Sequence, residues 1–217
     1  MNTVKSSQNL RLKELLSNHI VVGIDIDWVL VDTVEACIRK AYSWFQIVMS
    51  YDDWHHWNPH ENPQLQDVGV SRQEDTVTFF HDIVHNPDWQ IPPISGAPGW
   101  VDALKQAWKI LIALTGRADD ARGVTTDLLD NHYSGKFDDV LFSNHDVPES
   151  KKPKSQVAKE NGITFMIEDN IHYAIELASN GIPLILLTQP WNRDAIIPEG
   201  LLIFRVASWA EIQEALI

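Results

Sequence analysis

The sequence predicts an α/β fold in which a doubly wound parallel sheet carries a small helical cap inserted after its first strand. Short apolar runs alternate with helical segments of about ten residues in the second half of the chain, as in βαβ units. Several of these runs end in polar clusters, as strands do where a ligand binds beyond their carboxyl ends. The 217 residues, 44% of them hydrophobic, suffice for one core and one accessory unit.

The first predicted strand carries two aspartates at its carboxyl end. Residues 20–25 form an apolar run rich in valine and isoleucine, which favours a buried strand. Asp25 and Asp27 would point the same way if the strand continued through them. Two carboxylates that close repel each other. We therefore expect either a bound metal ion or one ionised and one protonated carboxylate.

Two helices are predicted next, over 33–49 and 71–84, because apolar residues recur there at helical spacing. Asp32 or Thr33 is placed to cap the first, and Ser71 the second. The polar and aromatic stretch between the two helices contains two prolines, which predicts loops and turns.

These helices define the expected domain organisation. Residues 33–92 are predicted to form the helical cap, since no strand pattern interrupts them. Residues 1–32 and 93–217 are predicted to form the α/β core. A short helix over 6–17 is expected as an extension packed on the sheet.

The rest of the chain alternates between strands and helices. The predicted elements, in order, are helix 100–108, strand 110–114, helix 119–132, strand 140–142, helix 153–161, strand 165–167, helix 171–179, strand 184–187, strand 201–204 and helix 208–216. Parallel strands bring their carboxyl ends to one edge of the sheet. Polar residues that follow different strands should therefore share a pocket.

Charge and composition exclude some classes of binding partner. The formal net charge of −13 leaves no basic face for a phosphate backbone, so a nucleic acid polymer is not an expected partner. No apolar run reaches the length of a membrane span or a signal peptide, so we expect no membrane association and a cytoplasmic protein. The single cysteine excludes an internal disulfide.

The polar clusters at the strand ends predict a phosphate and magnesium pocket. They comprise Asp25, Asp27, Thr115, Gly116, Glu168 and Asp169, together with three lysines, Lys151, Lys152 and Lys154, after strand 140–142. Carboxylate oxygens suit Mg²⁺, whereas a hydroxyl, a backbone N–H and an ammonium group bind phosphate oxygens. A small phosphorylated substrate is the expected partner.

Four of these segments resemble the motifs of the haloacid dehalogenase superfamily, in sequence order. They are residues 25–30, residues 114–117, Lys154 and residues 167–169. More narrowly, residues 92–97, 114–117, 154–163 and 181–187 resemble the 5'(3')-deoxyribonucleotidase branch, which has a helical cap between its first and second motifs.

The resemblance implies roles for the aspartates. Asp25 would attack phosphorus and form an aspartyl-phosphate. Asp27 would act as general acid and then general base, which requires a raised pKa. Asp25, the Asp27 carbonyl oxygen and Asp169 would hold Mg²⁺.

The resemblance also implies a phosphate-binding set, with Thr115, Gly116 and Lys154 on the phosphoryl oxygens. Lys151 and Lys152 compete with Lys154 for the third motif, and Lys154 is favoured because it begins a helix. Glu168 either supports the site or only provides negative charge at a helix N-terminus.

Aromatic residues suggest where the substrate lies. Trp28 stands where the branch has a small residue, so its ring would narrow the range of substrates. Trp44, Trp54 and Trp57 are candidates either for the interior of the cap or for a surface that stacks on a planar group.

A zinc site is an alternative interpretation of the histidines. The residues concerned are His55, His56, His60, His81 and His85, the last two at helical i, i+4 spacing. This interpretation is less favoured, because no cysteine accompanies them and the surrounding tryptophans suit a cap interior.

The sequence therefore predicts a Mg²⁺-dependent phosphomonoester hydrolase, with (deoxy)nucleoside monophosphates as the expected substrates. A phosphotransferase or mutase, and a non-catalytic sensor with the same fold, remain alternatives. A dehalogenase is disfavoured, because it needs neither Asp27 nor magnesium.

Overall fold

The computed structural model describes residues 13–14, 17–86, 89–107 and 109–216. Strand β1 spans Val21–Ile24 and is followed by helices α1 (Thr33–Phe45), α2 (Pro63–Gln66), α3 (Gln73–His85) and α4 (Ala97–Gln106). The remaining elements are β2 (Ile110–Thr115), α5 (Arg122–Tyr133), β3 (Asp139–Phe142), α6 (Lys154–Glu160), β4 (Phe165–Glu168), α7 (Ile171–Ser179), β5 (Leu184–Leu187), β6 (Ile203–Val206) and α8 (Trp209–Leu216).

All six strands are parallel, in the order β3-β2-β1-β4-β5-β6. The chain starts in the middle of the sheet, moves outward to β3, and then returns across β1 to build the other half. This reversal places a crevice at the carboxyl ends of β1 and its neighbours, where ligands bind in open α/β sheets.

Helices cover both faces of the sheet. Successive strand residues point to opposite sides, and the residues on both sides are apolar, so both faces are buried. The face toward α4, α5 and α8 carries Val22, Ile24, Leu111, Ala113, Phe165 and Ile167. The face toward α6 and α7 carries Ile112, Leu114, Met166, Leu184 and Leu186. The predicted doubly wound α/β fold is thus confirmed.

Between β1 and α4, the described residues contain helices and turns but no strand. Besides α1, α2 and α3, two 3-10 turns are present, Tyr51–Asp53 and Pro59–Glu61. We call residues 33–92 the helical segment. Its α3 side chains Phe79 and Ile83 join the same apolar cluster as β1, so this segment packs directly on the core.

Several boundaries differ from the prediction for local reasons. Helix α1 ends at Phe45 because Gln46 adopts a left-handed conformation, with φ of 59°. Helix α3 is capped not by Ser71 but by the Asp75 carboxylate, which accepts the N–H groups of Ser71 and Arg72 at 3.0 and 2.8 Å. The short α2, which begins at Pro63, was not predicted.

Other predicted elements need smaller corrections. The strand expected over 201–204 lies two residues later, at Ile203–Val206. The predicted helix over 6–17 lies almost entirely outside the described residues, as does Trp108. Within the described part of the chain, no helix combines the length and the apolar character that crossing a membrane requires.

Candidate active site

A cavity of about 200 Å³ lies at the carboxyl ends of β1 and β2, with α3 along one side. Asp25 and Asp27 from the end of β1, Gly116 from the end of β2, and Lys154 from the start of α6 all line it. Four residues predicted from three separate motifs therefore share one pocket, although up to 129 positions separate them along the chain.

Asp25 is held in place by both its backbone and its side chain. Its N–H group donates to the Ile167 carbonyl oxygen at 3.0 Å, which ties it to β4. Its carboxylate accepts a hydrogen bond from the Lys154 ammonium at 2.8 Å, and only 6% of the residue is exposed. Burial, together with the nearby Glu168 carboxylate, raises the pKa of Asp25 to about 8.

Asp169 supplies a buried oxygen that has no partner. The indole N–H of Trp191 donates to Oδ2 at 2.9 Å, but Oδ1 is buried without a hydrogen bond. Oxygens of Asp25, Glu168 and Asp169 lie within 4.8 Å of one another. Burial and the carboxylates of Glu168 and Asp25 raise the pKa of Asp169 well above its ordinary value.

This oxygen cluster fits a hard divalent cation. A buried acceptor without a donor costs free energy unless something binds it. A cation that prefers oxygen ligands would relieve both the free oxygen and the repulsion among the carboxylates. The donor set therefore suits Mg²⁺.

Glu168 is the second partner of Lys154. The ammonium donates to its carboxylate at 2.9 Å, and both side chains are fully buried. The other oxygen of Glu168 accepts the N–H groups of Asp169 and Asn170 at 3.3 and 3.1 Å. Burial opposes the charge on Lys154, but Asp25 and Glu168 together raise its pKa above the ordinary value.

Of the three candidate lysines, Lys154 is the one whose ammonium contacts Asp25. Lys151 and Lys152 are exposed, and Lys152 pairs with Glu160 at 3.0 Å. Lys154 is the buried first residue of α6, whereas Lys151 and Lys152 lie in the exposed stretch before this helix.

Asp27 has different partners from Asp25. The Arg117 guanidinium donates to both of its oxygens, at 2.9 and 2.8 Å, and the Thr33 hydroxyl donates at 2.6 Å. Strand β1 ends at Ile24 and does not continue through Asp25 and Asp27, so the condition under which both carboxylates were expected to point the same way is not met.

The expectation that Asp27 has a raised pKa is wrong in this structure. Burial by itself would raise it, but the charge and hydrogen bonds of Arg117, with the Thr33 hydroxyl, hold the pKa of Asp27 below its ordinary value. Arg117 belongs to the motif at residues 114–117, but no role was predicted for it, since its partner lies 90 positions away.

The predicted phosphate ligands from β2 differ in exposure. Thr115 is fully buried, and its hydroxyl accepts the Arg117 N–H group at 3.1 Å. Gly116 lines the cavity, where an added Cβ would lie 3.3 Å from the Tyr173 hydroxyl. A side chain at this position would crowd the site, which accounts for glycine here.

Two of the four candidate tryptophans line the cavity, and the other two lie elsewhere. Trp28 and Trp57 line the cavity and meet edge to face, with ring centroids 5.5 Å apart. Trp54 is fully buried in the apolar core, so it does not offer a stacking surface. Trp44 is half exposed beneath the Lys40 ammonium, 3.8 Å from the ring centroid, and is not among the described residues of the cavity.

The histidines predicted as an alternative zinc site are not all brought together. His81 and His85 line the cavity and approach Asp120, a residue that the sequence did not suggest. His55, His56 and His60 are not in this group. His145 was also missed; its Nδ1 lies 2.5 Å from the Tyr173 hydroxyl beside Gly116.

Solved structures resemble this one along nearly their whole length. A HAD family hydrolase from Deinococcus radiodurans R1, with bound phosphate and sodium, has a TM-score of 0.65 and 17% identity, covering 92% of this chain and 96% of its own. A predicted phosphatase from Clostridium acetobutylicum has a TM-score of 0.63 and 15% identity, covering 91% and 98%.

A predicted phosphoglycolate phosphatase from Haemophilus somnus 129PT has a TM-score of 0.58 and 15% identity, covering 90% of this chain and 97% of its own. The chain has the fold of the haloacid dehalogenase-like hydrolases. No family model and no curated protein matches the sequence. None of the three structures is named as a nucleotidase, so the resemblance to the deoxyribonucleotidase branch stays a prediction.

Proposed function

We propose that the protein is a Mg²⁺-dependent phosphomonoester hydrolase that works through an aspartyl-phosphate on Asp25. The observation that carries this proposal is the pairing of buried Asp25 with Lys154 beside the unpartnered oxygen of Asp169, at the edge of the cavity. The phosphatase fold of the structural neighbours, one of which binds phosphate, supports it.

In the first step, an Asp25 oxygen attacks phosphorus, and the bond from phosphorus to the ester oxygen breaks. Asp27 donates a proton to the leaving oxygen, and in the second step it accepts a proton from the water that attacks phosphorus. Phosphate then leaves and Asp25 is restored. Because Arg117 keeps the pKa of Asp27 low, the proposed cycle begins when Asp27 leaves Arg117 and takes up a proton from water, and the proton that it accepts in the second step restores that form.

Three groups are proposed to bind the phosphoryl oxygens: the Thr115 hydroxyl, the Gly116 N–H group and the Lys154 ammonium. Asp25 and Asp169, with the Asp27 carbonyl oxygen, would hold Mg²⁺, which neutralises negative charge that develops on the phosphoryl group. Glu168 acts through Lys154, since it fixes the ammonium beside Asp25.

The helical segment is proposed to act as a cap over this site. Its α3 residues Val77, Phe80 and Val84 line the same cavity as Gly116. A cap in this position limits the entry of water and excludes polymeric substrates.

The lining of the cavity favours a leaving group that is neutral and planar. Trp28, Trp57 and Phe80 provide ring surfaces, and a (deoxy)nucleoside has such a group. Among the described lining residues, the arginine and the lysine are already paired with carboxylates. A nucleoside monophosphate, whose only anionic group is its phosphate, is therefore the proposed substrate class.

A small phosphorylated acid is the second candidate. The cavity of about 200 Å³ is smaller than typical ligand pockets, which span about 300–1,000 Å³. The Haemophilus somnus neighbour is named for phosphoglycolate. A second carboxylate on the substrate would have to displace one of the existing ion pairs, which makes this candidate the less favoured.

The test is release of inorganic phosphate from nucleoside 5'- and 3'-monophosphates, phosphoglycolate and sugar phosphates, with Mg²⁺ and with EDTA. We expect metal-dependent release from nucleotides, abolished in Asp25→Asn and retained in the matched surface variant Asp67→Asn. Circular dichroism checks that both variants fold. No release from any ester, or full activity in Asp25→Asn, would contradict the proposal.

A further inference from the structure

We propose that His81, His85 and Asp120 form a second divalent-cation site at the cavity, one that takes a borderline transition cation such as Zn²⁺. The two histidines lie one turn apart on α3, and Asp120 lies in the 3-10 turn Asp119–Ala121 after β2. All three line the same cavity as Asp25.

The geometry brings three ligand atoms toward one point. The imidazole rings stack with their centroids 4.1 Å apart. Nε2 of His81 lies 3.9 Å from one oxygen of Asp120, and Nε2 of His85 lies 3.8 Å from the other. One ligand atom from each residue lies within 4.8 Å of those of the other two.

These separations are close to those of a zinc site. Ligand bonds of about 2.0–2.1 Å in a tetrahedral site put ligand atoms roughly 3.4 Å apart. The two imidazole-to-carboxylate distances exceed this value by a few tenths of an ångström, and no pair of the three ligand atoms exceeds it by more than about 1.4 Å. His81 and Asp120 have side chains 59% and 63% exposed, so they have room to adjust.

An ordinary ion pair explains this arrangement less well. The contacts of 3.8 and 3.9 Å are too long for hydrogen bonds, so the three side chains converge without bonding one another. Two protonated imidazoles stacked this closely would repel each other, whereas a metal ion requires them neutral. Arg117, the nearby cation that lines the cavity, is already paired with Asp27.

The donor atoms distinguish this site from the carboxylate site. Two imidazoles and one carboxylate suit Zn²⁺, Co²⁺ or Ni²⁺, whereas the all-oxygen cluster around Asp25 suits Mg²⁺. Three protein ligands leave a fourth position for water or a substrate atom, as catalytic zinc sites do. A bound cation would also link α3 of the helical segment to the turn after β2.

Titration calorimetry with Zn²⁺ tests the site, with excess Mg²⁺ present to occupy the carboxylate cluster. We expect one zinc ion per chain, with affinity at least 10-fold weaker in His81→Ala, His85→Ala and Asp120→Asn. Co²⁺ bound in place of Zn²⁺ should give visible absorption bands that are lost in the same variants. The substituted positions line an open cavity, and circular dichroism verifies folding.

Matched controls separate this site from zinc bound elsewhere. His55→Ala and His172→Ala remove exposed histidines outside the cluster and should bind zinc as the wild type does. The Asp25→Asn variant should also bind zinc as the wild type does. Absence of zinc binding in the wild type, or binding that survives His81→Ala and Asp120→Asn, would overturn the proposal, and loss only in Asp25→Asn would assign the zinc to the carboxylate cluster.

Discussion

Asp25 and Asp27 lie two positions apart, but the structure gives their carboxylates opposite environments. Burial and the neighbouring Glu168 carboxylate outweigh Lys154 and raise the pKa of Asp25, whereas Asp27 is bound by Arg117 at both oxygens, which lowers its pKa. Spacing along the chain predicted that both residues belong to one site. It could not predict their partners, because Lys154 and Arg117 arrive from distant elements.

Asp27→Asn is expected to lower kcat by at least about 100-fold, the usual contribution of a general acid and base. Asparagine keeps the shape of the side chain and can still accept a hydrogen bond from Arg117, so the fold should be retained. Steady-state rates of phosphate release measure the effect, with Asp67→Asn as the control. A rate equal to that of the wild type would remove Asp27 from the reaction.

The residues that the sequence missed have partners set by the fold. Nothing in the local pattern indicates that Trp191 donates to Asp169, or that His145 meets Tyr173. Asp120 likewise follows no motif, and only the placement of α3 brings His81 and His85 to it. Of the three lysines, Lys154 alone contacts Asp25, and its role on the phosphate stays a prediction.

At the level of elements, β1 positions the site because it lies between β2 and β4 in the middle of the sheet. Gly23 leaves room for the side chains of Met166 in β4 and of Ile163, which lies between α6 and β4. An added Cβ at Gly23 would lie 2.2 Å from Sδ of Met166 and 2.9 Å from a methyl carbon of Ile163. Both contacts are too short for the packing to remain unchanged.

Gly23→Ala is therefore expected to lower the free energy of unfolding by about 1–3 kcal/mol, as overpacking of a core does. Gly123→Ala is the matched control, because an added Cβ in helix α5 meets nothing within 4 Å. That change should stabilise the protein by about 0.5–1 kcal/mol, since alanine favours a helix over glycine. Urea unfolding measures both, and equal stability of the two variants would contradict this account of β1.

Elements with strong local signals were predicted well. Helix α7 and strand β5 have the predicted bounds, since Asn170 caps the helix and a continuous apolar run forms the strand. The short α2 and the end of α1 were not predicted, because they depend on a proline turn and on one left-handed residue, Gln46.

On the scale of the whole molecule, the parallel topology brings the motifs to one edge, and this was predictable from the alternation of strands and helices. The position of the helical segment could not be predicted, because no sequence pattern indicates how α3 packs beside the cavity. Which tryptophans line the cavity follows from that packing, so the sequence could not separate Trp28 and Trp57 from Trp44 and Trp54.

Mg²⁺ is expected to stabilise the whole molecule, because a cation relieves the repulsion among Asp25, Glu168 and Asp169 only in the folded state. At a concentration of 100 times Kd, the stabilisation is about 2.7 kcal/mol. For a chain of this size, each kcal/mol raises Tm by roughly 2–4 °C. Calorimetry with Mg²⁺ and with EDTA measures the shift.

Two controls accompany this measurement. NaCl at equal ionic strength accounts for general screening in a protein with a net charge of −13. Asp169→Asn removes one proposed ligand and should reduce the shift. A rise in Tm that NaCl reproduces, or that is unchanged in Asp169→Asn, would argue against a magnesium site at these carboxylates.

The central claim is that Asp25 becomes phosphorylated during turnover. Mass spectrometry of peptides from acid-quenched Asp27→Asn enzyme tests this most directly, because that variant should hydrolyse the intermediate slowly. The substrate is the best ester of the panel, with Mg²⁺ present. We predict one phosphoryl group on Asp25, absent when Asp25 is also changed to Asn. Phosphate release without a phosphorylated peptide, or phosphorylation at another residue, would contradict the account.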